Sequence, residues 1–167
     1  MSQSPIVVSN KATNRDLEFL EDQINEFNMA TTGFYDGVRL VILLRDENGR
    51  IYAGLSGHTW GGACEVRFLW IEESRRRCGL GSRILDAAEA EARLRGCSKI
   101  MLSTHSFQAP EFYRKRGYVV TGEFRDYPRG RYGRDLFATV ALRNRKQDER
   151  QRGTYHSGSD VGEQRLI

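Results

Sequence analysis

Apolar and polar positions along residues 1–142 repeat with two periods, two residues in some stretches and about 3.6 in others, which marks strands and helices in turn. A short apolar run, Ile6 to Val8, predicts an edge strand. Asn14 is the expected cap of a helix with Asp16 and Glu18 in its first turns and Leu17, Leu20, Ile24 and Phe27 along one face. The stretches 38–45 (VRLVILLR) and 51–56 (IYAGLS), joined by the turn Asp46 to Gly49, predict a hairpin. Trp60-Gly61-Gly62 turns the chain into a strand over 64–71 (CEVRFLWI), and Gly79 to Arg95 is an alanine-rich helix stopped by Gly96. A strand over 99–104, a short helix over 109–116, and strands over 118–125 and 134–142 flanking the turn Pro128-Arg129-Gly130 complete the pattern.

The strand, loop and helix from 64 to 95 lead into the strand at 99, a crossover that sets two parallel strands side by side. Hairpins at both ends make the sheet mixed, so an alternating α/β layer architecture follows. Residues 143–167 hold almost no apolar side chain before the last three positions and cannot offset ordering entropy by burial. They read as a polar, mobile tail behind a single domain over 1–142.

Composition narrows the class. With 39% hydrophobic and 29% charged residues, the 167-residue chain can build one globular core and is not wholly disordered. No apolar run reaches the roughly 18 residues of a membrane helix, and MSQSPIVVSN lacks the basic start and apolar stretch of a secretory signal. The expected location is therefore the cytoplasm, away from membranes. Cys64, Cys78 and Cys97 are odd in number, without C-x-x-C spacing or a nearby His cluster, and indicate neither a disulfide framework nor a metal site. The net charge is +4, and 22 of the 26 basic residues are Arg. Arg grips phosphate or carboxylate with a planar fork, so an anionic ligand is worth seeking, although codon bias accounts for the bulk of them. Half of the excess, +2, falls in the tail, too diffuse to predict nucleic-acid binding.

The most informative stretch lies between the strand over 64–71 and the helix that follows it, Arg75-Arg76-Arg77-Cys78-Gly79-Leu80-Gly81-Ser82. Two glycines let the backbone turn tightly and approach a ligand, first-turn N–H groups point outward, and the helix dipole favours an anion there. A Walker loop would need G-x-x-x-x-G-K-[ST], and the dinucleotide fingerprint a third glycine where Ile84 stands. What remains is R-x-x-G-x-G, in Arg76, Gly79 and Gly81. Here the sequence resembles the GNAT superfamily of acetyl-CoA-dependent N-acetyltransferases, whose pyrophosphate loop carries [Q/R]-x-x-G-x-[G/A] in this strand-to-helix context. A second block, Ser106 to Tyr118, is similar to the family's segment after the next strand, with Ala109 four residues before Tyr113 and Gly117-Tyr118 just beyond it. The resemblance covers residues 5 to 142.

The resemblance implies a GNAT-type acyl-CoA N-acyltransferase fold, with a central mixed, mostly antiparallel twisted sheet of six to seven strands flanked by helices. It implies acetyl-CoA as cosubstrate, held by Arg76, Arg77, Cys78, Gly79, Leu80, Gly81 and Ser82 at the diphosphate, and by backbone groups of Leu69 and Ile71 in a V-shaped gap between strands. Ser106 stands where many relatives carry Asn, so its contact with the cofactor arm is shorter in reach. Tyr113 matches the tyrosine that protonates the departing CoA thiolate; the plainer alternative is an aromatic anchoring its helix, the role given to its neighbour Phe112. Glu65 lies at the spacing of the catalytic glutamate of the histone-acetylating branch, and strand alternation sets it on the face of Leu69 and Ile71. His58, His105 and water compete with it as the base.

The expected function is direct transfer of an acetyl group from acetyl-CoA to a primary amine in a ternary complex, without a metal. The acceptor, a small molecule or a peptide, is expected against the first helix, the loop 28–36, His58, Trp60 and the basic hairpin from Tyr127 to Gly133, where Arg125, Arg129, Arg131 and Arg134 oppose Asp126 and Asp135. A second copy of the chain stays open as a partner. A non-catalytic acetyl-CoA-binding module and an Arg-rich nucleic-acid-binding protein are the competing classes; Tyr113 speaks against the first and the lack of any recognition motif against the second.

Overall fold

The computed structural model describes residues 5–130 and 133–138. They form two compact units that divide after Asp36. In the N-terminal unit, helix α1 (Asn14–Thr32) begins one residue earlier than expected, because Thr13 and not Asn14 caps it. The Thr13 hydroxyl accepts from the Asp16 N–H at 3.2 Å while the Thr13 N–H donates to Asp16 Oδ2 at 2.8 Å, a reciprocal box that also holds the Asp16 carboxyl below its ordinary range. Gly33 stops the helix at φ 73. The expected edge strand at Ile6–Val8 does not form. These residues are irregular and 77–98% exposed, since three apolar side chains with no ladder to join gain nothing from extension.

The second unit is a six-stranded sheet in the order β1-β2-β3-β4-β6-β5 among the described residues. Its strands are β1 (Val38–Arg45), β2 (Ile51–Trp60), β3 (Ala63–Ile71), β4 (Lys99–His105), β5 (Val119–Arg125) and β6 (Gly133–Ala138). Every pairing is antiparallel except β3 with β4, which are joined by helix α2 (Leu80–Leu94) as a crossover. The mixed, mainly antiparallel sheet is the one expected. Residues 139–142 of the expected last strand and the 143–167 tail lie outside the described residues.

One face of the sheet is the core. Leu40, Ala53, Leu55, Cys64, Val66, Ile100 and Leu102 project from it against Leu80, Ile84, Leu85, Ala88 and Ala92 of α2. These α2 positions, spaced four, one, three and four residues apart, fall on one face of the helix, the apolar stripe its alanine-rich sequence predicts. Helix α3 (Pro110–Lys115) adds Tyr113, and Tyr118 follows it into the same cluster. The Arg116 guanidinium pins this corner to α2 through Asp86 and Glu89, and the Tyr118 hydroxyl donates to Glu89 at 3.2 Å.

A β-bulge interrupts the alternation of β3. Ser56 pairs with Phe68 and Gly57 with Val66, so Arg67 is the extra residue. Gly57 makes the bulge sterically feasible, because a Cβ there would stand 2.1 Å from the Glu65 carbonyl oxygen. Before the bulge the even residues Cys64 and Val66 face the core; after it the odd residues Leu69 and Ile71 do, while Phe68 and Trp70 turn out, 71% and 50% exposed. The expectation that Glu65 shares a face with Leu69 and Ile71 is thereby corrected. Glu65 lies on the opposite face, since one inserted residue reverses the pleat.

Candidate active site

The parallel ladder between β3 and β4 runs only from Ala63–Lys99 to Val66–Leu102. Beyond it β3 follows β2 as far as Ile71, and β4 follows β6 as far as His105, so the two strands part and leave a gap. Main-chain groups alternate along a strand, and the Glu72 N–H donates back to Tyr52 O on β2 at 2.8 Å. Trp70 and Phe68 therefore also address β2, and the N–H and C=O of Leu69 and Ile71 point into the gap. These are the two residues that the sequence proposed for pantetheine.

The chain leaves β3 through a 3-10 turn, Glu73–Arg75, and enters α2 at Gly79. Arg76 Nε donates to Ile71 O at 3.0 Å, folding the turn back on the end of β3. Arg75 is engaged elsewhere, 3.4 Å from Glu72 and over the Tyr52 ring at 4.2 Å. Arg77 keeps its side chain exposed and its backbone at φ 64, a strained conformation of the kind that collects at ligand sites. The Cys78 thiol is exposed and donates to Arg75 O at 3.0 Å.

At the start of α2 the two glycines have separate reasons to be glycine. Gly79 stands at φ 80, where an L side chain is strained although nothing lies within 4 Å of its missing Cβ. Gly81 has ordinary helical backbone, and a Cβ there would meet Ile71 Cδ1 at 3.4 Å and Phe112 Cζ at 3.6 Å, normal contact distances. No side chain caps the helix, so the first-turn N–H groups of Leu80, Gly81 and Ser82 have no intrahelical acceptor and carry the positive end of the dipole. A diphosphate fits this cradle in charge, donor supply and space. Phe112, expected only as packing, reaches the same spot; sequence spacing alone gave no sign of that contact.

Tyr113 is 7% exposed and wedged edge-on between Phe112, 5.0 Å away, and Tyr118, 5.8 Å away, by ring centroids. Burial raises its phenol above the ordinary range, so it is protonated at neutral pH. Ser106 exchanges two hydrogen bonds with Gly133: its N–H donates to Gly133 O at 2.8 Å and its hydroxyl accepts from Gly133 N at 3.0 Å. Only its own O–H is left to offer a ligand.

The three candidate bases separate into two places. His58 and Glu65 are direct cross-strand partners on the face away from α2, with His58 Nδ1 3.6 Å from Glu65 Oε2 and both side chains nearly half exposed. His105, at the end of β4, stacks on Phe107 at 5.1 Å and lies 5.4 Å from Tyr127, its buried Nδ1 without a hydrogen-bond partner. Of the residues expected around the acceptor, the first helix and the loop 28–36 belong to the N-terminal unit, and Arg131 lies outside the described residues. Among the described residues no group of three His, Cys, Asp or Glu is placed to hold a metal, and no helix is long and apolar enough to cross a membrane.

Comparison with known proteins agrees with this geometry. The model of the acetyltransferase (GNAT) family matches residues 11–118. A blasticidin-S acetyltransferase of Streptomyces morookaense is 41% identical over 85 residues, 50% of this chain and 62% of that relative, so the match spans a little under two thirds of its length. An acetyltransferase of Agrobacterium fabrum is 31% identical over 116 residues, 70% of this chain and 85% of the relative. The crystal structure of an acetyltransferase from Bacillus cereus superposes with a TM-score of 0.66 at 31% identity, covering 81% of this chain and 98% of that one. A sheet split beside an uncapped, glycine-flanked helix start thus has both sequence and structural kin, and the chain belongs to the GNAT family of acetyltransferases.

Proposed function

We propose that this enzyme transfers an acetyl group from acetyl-CoA to a primary amine of a small polar molecule by direct attack in a ternary complex. The observation that carries the proposal is the meeting of the end of β3 with the α2 start: a Cβ on Gly81 would stand 3.4 Å from Ile71 Cδ1, and Leu69 and Ile71 turn main-chain groups away from β2 beside the uncapped turn of Gly79, Leu80, Gly81 and Ser82. Arg76 and Arg77 add charge at the same end, Cys78 lends only backbone, and Ser106 supplies one hydroxyl proton. Acetyl-CoA bound there brings the activated acyl group.

The residues of the chain do the rest. Main-chain donors in the gap polarise the acyl carbonyl, and holding both reactants together supplies much of the entropic part of the barrier. Tyr113 holds the proton that the departing sulfur requires. The incoming ammonium must lose its proton to a base drawn from Glu65, His58, His105 or water, and α2 covers the core face of β1 to β3, so the acceptor reaches the gap from the other face.

The test is release of free CoA from acetyl-CoA across a panel of amines headed by blasticidin S, the compound named for the relative at 41% identity, with calorimetric titration of acetyl-CoA alone. Intersecting initial-velocity lines are expected. Binding of acetyl-CoA without turnover on any amine leaves a binding module, and lack of binding refutes the site.

A further inference from the structure

Two of the candidate bases are not alternatives in space. His58 and Glu65 face each other across β2 and β3, and the bulge fixes that pairing. Gly57 admits the Glu65 carbonyl against β2, so the Glu65 side chain starts from a closely held backbone next to His58. The pair lies one residue before the last parallel rung, Val66–Leu102, at the closed end of the gap and on the open face of the sheet.

We propose that His58 Nε2 is the base that takes the proton from the acceptor ammonium, and that Glu65 is a positioning residue that accepts from Nδ1–H and so keeps the lone pair on Nε2. This deepens the acetyl-transfer proposal and rests on it. Imidazole, with a reference pKa of about 6.5, is matched to neutral-pH proton transfer far better than a carboxylate of about 4.3. The Nδ1 edge faces the carboxylate at 3.6 Å, just beyond hydrogen-bond distance, and a ring that closes this short gap presents Nε2 on its other side. The charged groups flanking His58 are Arg39, its cross-strand partner on β1, and Glu65, its partner on β3, with Arg67 next along β3 in the bulge.

The step balances. The ammonium gives one proton to His58 Nε2, the amine nitrogen bonds the acyl carbon, and the carbon–sulfur bond breaks with its electron pair left on sulfur. Sulfur takes the Tyr113 proton. The nitrogen loses its second proton to solvent through water, His58 returns its own to solvent, and one proton from solvent restores Tyr113. The sum is amide, CoA thiol and one net proton released.

The test combines rate and spectrum in the full-length enzyme. The dependence of kcat/KM on pH is measured with acetyl-CoA and blasticidin S, or the best amine of the panel above, for the wild type, His58→Gln and Glu65→Gln. Wild type is expected to show a rising limb near neutrality. His58→Gln loses that limb and about 10²-fold or more of the rate, whereas Glu65→Gln keeps the limb at a reduced rate. A limb lost in Glu65→Gln and kept in His58→Gln, or kept in both, overturns the proposal. Independently, nitrogen shifts of the imidazole without any substrate should show neutral His58 as the Nδ1–H tautomer in the wild type and a mixture in Glu65→Gln. A wild-type Nε2–H tautomer also overturns it. If no amine releases CoA from the wild type, the acetyl-transfer proposal fails, while the tautomer still decides whether Glu65 orients His58.

Discussion

Substituting the two glycines of the α2 start by the same residue should move stability in different directions. Gly79 lies at φ 80 with open space around its missing Cβ, so Gly79→Ala adds no clash and only backbone strain, about 1–2 kcal/mol. A kcal/mol shifts the midpoint by about 2–4 °C in a chain of this size, giving a fall of about 2–8 °C. Gly81→Ala places a methyl group at 3.4–3.8 Å from Ile71 and Phe112, ordinary contact, and gains part of the about 1 kcal/mol by which Ala exceeds Gly in a helix. Its midpoint should hold or rise. Gly81→Glu starts from the same tolerated Cβ, so the fold survives, but the carboxylate occupies the diphosphate position with like charge. Acetyl-CoA at 100 times its Kd stabilises a protein by about 2.7 kcal/mol, which raises the wild-type midpoint by about 5–11 °C and should leave Gly81→Glu unmoved. Thermal melts of the four proteins with and without acetyl-CoA read all of this. Equal losses in both alanine variants would refute the backbone argument, and a full ligand shift in Gly81→Glu would put the diphosphate elsewhere.

Four further outcomes are expected. Tyr113→Phe should lower kcat about 10²-fold with acetyl-CoA affinity unchanged, by turnover and equilibrium binding on the same acceptor; equal loss of both would mark Tyr113 as packing. Gly57→Ala, whose Cβ would stand 2.1 Å from a backbone oxygen, should cost more than about 4 kcal/mol in denaturant melts or prevent folding, and a small loss would show that the bulge can slide. Burial lifts Cys64 to about 11 and raises Tyr113 and Tyr118, so these groups ionise more readily unfolded than folded, and stability should fall from about pH 9 upward. Below that, a thiol reagent should label exposed Cys78 quickly and buried Cys64 and Cys97 only after denaturation, as mass spectrometry would show.

The elements of the sheet unit were legible because burial writes itself as period. The alanine-rich stripe of α2, the hairpin at Asp46–Gly49 and the parallel crossover all follow from local pattern, and so does the loop at Gly79–Ser82. What depends on register was hidden. Nothing local states that Arg67 is extra, so Glu65 was expected on the wrong face and its pairing with His58 went unseen. Phe112 at the phosphate loop was hidden for the same reason, since α3 meets α2 only through tertiary packing around Arg116. The cap of α1 shifted by one because Thr13 and Asn14 are both good caps and only the reciprocal bond with Asp16 decides between them.

The bulge at Arg67 also determines how β3 can vary under selection. A strand normally tolerates polar change at every second position throughout its length. Here the tolerant set changes parity midway: Glu65 before the bulge, Phe68 and Trp70 after it, with Cys64, Val66, Leu69 and Ile71 constrained by the core. Substitutions can therefore remodel the outward face, which the proposed function gives to the acceptor, on both sides of the bulge without disturbing the main-chain groups of Leu69 and Ile71, which any residue provides. A single-residue insertion after Arg67 would do the reverse, exchanging core and surface for the four side chains from Phe68 to Ile71 while leaving the composition almost unchanged. Under the proposed function, specificity for the amine is thus free to drift by substitution, whereas the length of this one strand is not.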